Sequence, residues 1–187
     1  IVKSQNKFSL YETDQGWIGS LDRMYPSLGY MINVSYAQDF YYPAGLIYPP
    51  TDAKLIAESF EEELPEIPWN VDYKQYEGSM MIAALISETE HDLNNPYGAV
   101  VGMINGEIRG VAGTEYIPDL EAHRIFMMVH GRAIEHMEEN ISFQSYDHDM
   151  GYVYDAFEMI PYDESELVGA LDDPFILNKN IKRGDKG

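Results

Sequence analysis

Turn signals recur about every ten residues along this chain, and the runs between them are short, aromatic and β-branched, a spacing that suits antiparallel strands. The strongest is Asn105-Gly106, set between AVVGMI and EIRGVAG. Both central positions of a type I′ turn need positive φ, so an Asn-Gly pair between apolar runs reads as a hairpin. FSLYE (residues 8–12) alternates apolar and polar residues, TDQG offers a turn, and WIGSL resumes the strand. NISFQSYD and MGYVYDAFEMIPY should pair across Asp147-His148-Asp149-Met150-Gly151, and HRIFMMVHG is a further strand candidate. SMMIAALIS is apolar enough for a buried strand, yet its Ala and Met also suit a helix, and periodicity leaves both open.

The expected fold class is all-β, with two small antiparallel domains. Residues 1–48 read as the C-terminal part of a small β domain. Residues 49–68 read as an acidic, Pro-flanked linker with one short helical turn near Ala53 to Glu62 and a solvated run from Glu58 to Glu63. Residues 69–178 form the longer β pattern, and 179–187 (KNIKRGDKG) read as a basic tail or linker.

Composition excludes several function classes. The formal charge is −20 over 187 residues, which repels phosphate backbones and argues against nucleic acid as a partner. There is no cysteine, so neither thiol catalysis nor disulfide staples are available. No apolar run reaches the length of about 18 residues that a membrane span needs. The opening IVKSQNKFSLYE has no apolar leader character, so we expect an internal or processed piece of a longer polypeptide.

The polar residues form no catalytic pattern. G-x-S-x-G, P-loop and G-x-G-x-x-G motifs are missing, so no enzyme is expected. His123 and His130 bracket one strand candidate at odd spacing and should point to opposite faces, while His136 and His148 fall in turns, a poor basis for zinc. Calcium is the one cofactor the loops allow: Asp92, Asn94, Asn95, Asp147 and Asp149 supply oxygen ligands, although acidic turn residues also serve local hydrogen bonds. Arg109, two residues beyond Glu107 on one strand face, is either a fork for a carboxylate or sugar, or a buried tie between strands. Tyr41 and Tyr42 are neighbours, so one should face outward and offer a glycan platform. Trp17, Tyr30 and Trp69 are expected in the core.

Two stretches carry a resemblance. The first holds Gly16, Trp17, Gly19, Ser20, Leu21, Pro26, Gly29, Tyr30, Met31, Phe40, Tyr42 and Pro43; Ser27 stands where the pattern has glycine. The second runs from Trp69 through Tyr76, Ser79-Met80, Gly98 to Val101, Asn105 to Ala112, Ile141 to Phe143 and Tyr146-Asp147 to Gly169 and Pro174 to Leu177. Together they resemble modular surface and secreted proteins of Gram-negative bacteria, in which a GWxGSL…GYM β segment precedes Ig-like β-sandwich repeats. The resemblance implies an Ig-like second domain in an extracellular or cell-surface multidomain protein, with a spacer, adhesion or assembly role. A carbohydrate-binding module is the alternative. Partners would be proteins or neighbouring modules, reached by strand addition at sheet edges, or a glycan.

Overall fold

The short apolar runs do become strands. The computed structural model describes residues 1–5, 7–13, 16–25, 28–37, 39, 68–87, 98–117, 120–132, 139–148 and 151–180, and among these the regular structure is strand apart from short 3-10 turns. The chain divides into two compact units, Ile1–Leu64 and Pro65–Gly187. Of the expected linker, only Pro68 lies within the described residues.

In the first unit, β1 (Val2–Lys3), β2 (Phe8–Glu12), β3 (Gly16–Ile18) and β4 (Met31–Ile32) form one antiparallel sheet in the order β3-β2-β1-β4. The β2–β3 hairpin follows the sequence expectation, with Gly16 at φ +79° entering the second strand. The Gly-Ser-Leu step after β3 has a local cause. A Cβ on Gly19 would collide with the Phe8 carbonyl, and this close approach lets Leu21 N–H donate to Phe8 O at 3.0 Å. Phe8, Leu10 and Ile18 take the buried positions. Leu10 lies opposite Ile18, so Tyr11 and Trp17, paired one step along, fall on the other face. Trp17 is accordingly 59% exposed, which corrects the expectation that it fills the core.

The second unit opens with the 3-10 turn Tyr73–Gln75, followed by β5 (Gly78–Ser87), β6 (Gly98–Ile104), β7 (Glu107–Ile117), β8 (Ala122–Gly131), β9 (Asn140–Asp147), β10 (Tyr152–Pro161), β11 (Leu167–Val168) and β12 (Phe175–Asn178). The hydrogen-bonded order is β10-β9-β6-β7-β8-β5-β11, with β12 also on β5. SMMIAALIS is thus a strand. It is buried on both faces, which erases the alternation that would have marked it. Asn105 and Gly106 have φ of 53° and 78°, as the hairpin required. The β9–β10 turn also forms, Gly151 N–H donating to Asp147 O at 2.8 Å. Two short parallel pairings, β11 and β12 with β5, join an otherwise antiparallel sheet.

This sheet folds over along β7. Residues 107–113 pair with β6, whereas 114–117 pair with β8, so the strand passes from one layer to the other. Met80, Ile82, Ala84 and Ile86 of β5 and Ile125, Met127 and Val129 of β8 pack with Val100 and Ile104 of β6, Ile141 and Phe143 of β9, and Leu177. The two layers therefore share one interior, as in a β-sandwich. The far edges also meet: Ala156 of β10 forms an antiparallel bridge with Lys179, and Asn180 N–H donates to Asp155 O at 2.7 Å. Lys179, expected to begin a loose tail, is part of this closure.

Candidate functional site

Polar side chains cluster at the two ends of that interior. At the hairpin end, Met103 faces Ile108 but Gly102 faces Gly110, so Arg109 is the extra residue of a β-bulge. A bulge re-aims its side chain, and Arg109 is driven inward to 3% exposure. Its Nε donates to Glu107 Oε2 at 3.1 Å, a terminal nitrogen lies 2.9 Å from the same oxygen, and the other terminal nitrogen donates to His130 O at 3.4 Å. The Tyr76 ring covers the guanidinium at 4.4 Å, and the Tyr76 hydroxyl donates to Glu107 Oε1 at 2.7 Å. Arg132 approaches the same oxygen at 3.7 Å. The His130 ring neighbours those of Tyr73 and Tyr76, with centroids 6.0 and 6.3 Å away.

The electrostatics follow from these contacts. The Tyr76 hydrogen bond, aided by Arg109 and Arg132, holds the Glu107 carboxyl below its ordinary value. Burial raises the Tyr76 phenol, and the bond to Glu107 adds to this. Tyr162 sits beneath the cluster, its ring packed so closely on Gly131 that no Cβ would fit there. Its hydroxyl lies against Gly131 without a well-formed hydrogen bond, and burial, with Glu164 and Glu139 nearby, pushes its pKa to about 12. In this geometry the Arg109 guanidinium joins β7, β8 and the segment before β5.

At the opposite end, Asp147 closes β9 and continues the inward parity of Ile141 and Phe143. Lys179 continues the inward parity of Leu177. Their side chains meet, Lys179 Nζ lying 3.7 Å from Asp147 Oδ2, with exposures of 6% and 14%. The Tyr154 ring flanks the ammonium at 5.0 Å, and burial lowers the Lys179 pKa. Asp147, one of the calcium candidates, thus faces a cation of the chain itself. Asp92, Asn94, Asn95 and Asp149 lie outside the described residues, as do His136 and the platform candidates Tyr41 and Tyr42. His123 packs near the Tyr116 ring and His148 near that of Tyr146. Among the described residues no group of three or more His, Cys, Asp or Glu side chains is placed to hold a metal ion, and no helix is long and apolar enough to cross a membrane.

The solvent face holds what the expected core did not. Tyr11 and Trp17 stand side by side on the first sheet, 57% and 59% exposed, with ring centroids 5.5 Å apart. On β10, Val153, Phe157 and Met159 are exposed. Tyr30 instead uses its hydroxyl to accept from Tyr25 N–H at 2.7 Å, and Trp69 rests edge-on against Tyr146. The residues that sequence reasoning did not single out are Tyr73, Arg132, Tyr162 and Lys179. Only Lys179 carried a usable signal, its period-two spacing from Leu177. In comparisons with family models, curated proteins and solved structures, nothing matches the chain.

Proposed function

We propose that the chain is a non-catalytic structural or interaction module of an extracellular or cell-surface multidomain protein, acting as spacer, adhesion or assembly unit. One observation carries this reading. The clustered ionisable side chains bind one another at the ends of a filled interior, while aromatic and apolar side chains face solvent on the sheets. Groups engaged with one another in this way are not presented to a substrate. The extracellular placement rests on the resemblance alone. The test is association: light scattering of the purified chain, alone and mixed with the flanking modules of its parent polypeptide, against a Phe157→Ser/Met159→Ser variant. A complex weakened by the double substitution supports the reading, whereas turnover in a hydrolase substrate panel counts against it.

The Tyr11–Trp17 pair favours a second reading, a carbohydrate-binding module. Sugar rings present C–H faces that stack on exposed aromatic rings, which combine large apolar area with a polar edge. A glycan array probed with the chain and with Trp17→Ala decides this: a signal lost in the variant supports it, and an empty array removes it.

A further inference from the structure

The Lys179–Asp147 pair sits where a covalent bond would do what cysteine does in other domains. We propose that the Lys179 amine and the Asp147 carboxyl condense into an intramolecular amide that locks the end of the curled sheet. Four observations support it. Both side chains point into the interior, by the strand parity of Leu177 and Phe143. They are already in contact at 3.7 Å, and both are largely removed from water. The Tyr154 ring lies along one side of the ammonium. The backbone beside Lys179 is fixed on two strands, through the bridge to Ala156 and the Lys179 N–H donated to Ser87 O at 3.5 Å, so the amine is held in place rather than tethered to a loose end.

The chemistry balances without a co-reactant. The ammonium passes a proton to the carboxylate across the ion pair, giving a neutral amine and a neutral acid. The amine lone pair attacks Cγ of Asp147, a C–N bond forms, and the C–OH bond breaks. The hydroxyl leaves with a proton from nitrogen as one water molecule. Two features drive the step. An ion pair withdrawn from water carries a desolvation cost that a neutral amide does not, and fixed neighbours react with effective concentrations far above those in solution. Burial also favours the neutral amine that must attack. The product would tie the end of β9 to the segment after β12, across β10, in a chain with no cysteine to make such a link.

Intact-mass spectrometry of the purified, folded full chain tests this, with Lys179→Arg and Asp147→Ala alongside. The expected wild-type mass is lower than the sequence mass by one water, and peptide mapping should give a branched peptide that joins the Lys179 segment to the Asp147 segment. Both variants should show their full sequence masses. A succinimide also loses water but gives no branched peptide, so a water loss without the branch overturns the proposal. A wild-type chain at its full sequence mass after prolonged incubation in the folded state overturns it too. The wild-type peptide map is decisive even if a variant does not fold.

Discussion

Replacing Arg109 by alanine should destabilise the second unit by about 3 kcal/mol. The guanidinium makes two contacts with the Glu107 carboxylate, at 3.1 and 2.9 Å, and one with His130 O at 3.4 Å. Hydrogen bonds to charged groups contribute roughly 1.5–3 kcal/mol each in favourable cases. Removing one partner of a fully buried pair costs about 3–5 kcal/mol, because the other charge is stranded. Glu107 is 44% exposed, so its carboxylate can regain water and the electrostatic loss falls to about 1.5–2 kcal/mol. Loss of the stacking under Tyr76, at 4.4 Å, adds about 1 kcal/mol. Urea unfolding reads the result, with Trp69, which rests on Tyr146 of β9, as the fluorophore in a Trp17→Phe background. At a urea slope of about 1–3 kcal/mol per molar, the midpoint should fall by roughly 1–3 M. Arg109→Lys keeps the charge but loses the planar fork, and should lie between the two. A midpoint within about 0.3 M of the parent for the alanine variant, or full recovery by lysine, would refute the view that this arginine pins the layers together. The same network sets an acid limit. The Glu107 pKa is lowered in the fold, so its contribution is complete above the ordinary value of 4.5 and is lost as pH falls through the lowered one.

Four further substitutions separate structural roles by calorimetry or urea unfolding. Gly110→Ala drives a Cβ into the Met128 carbonyl, a backbone atom that cannot rotate away, and should cost at least about 2 kcal/mol; a silent substitution would mean that β7 and β8 are not so close there. Tyr162→Phe should leave neutral-pH stability within about 1 kcal/mol, because the hydroxyl makes no well-formed hydrogen bond. In the parent chain the unfolded state gives up this proton first, so stability should decline as pH rises from the ordinary 10.0 towards about 12, and the phenylalanine variant should lack that component. Discounted for solvent screening, it amounts to about 1 kcal/mol, and identical alkaline profiles for the two proteins would contradict it. Trp17→Ala should change stability by less than about 0.5 kcal/mol, whereas Phe8→Ala, fully buried in the same sheet, should cost about 3–5 kcal/mol; equal losses would place Trp17 in the core after all.

What the sequence made legible was local. Asn105-Gly106, Gly16 and Gly151 announce hairpins because each takes the positive φ that glycine or asparagine accepts at least cost. Relations that depend on register were not legible. A one-residue slip between Gly102 and Met103 turns Arg109 into the bulge residue, and no propensity scale marks such a slip. Trp17 looked like core because large aromatics usually are, but the Leu10–Ile18 pair took the inner face and register assigned the aromatic pair to the outer one. Residues 179–187 read as a basic tail or linker on composition, although period-two counting from Leu177 already pointed Lys179 inward.

These relations bear on function together. The chain has only 12 lysines and arginines against 32 acidic residues, and two of those cations, Arg109 and Lys179, lie inside, one at each end of the second unit's interior. Buried, paired cations serve the packing of strands, and their absence from the surface leaves it more acidic still. A partner of the second unit would therefore meet an acidic exterior interrupted by the apolar side chains of β10, so contact through Phe157 and Met159 should strengthen with salt where acidic neighbours repel, and weaken where the partner is basic.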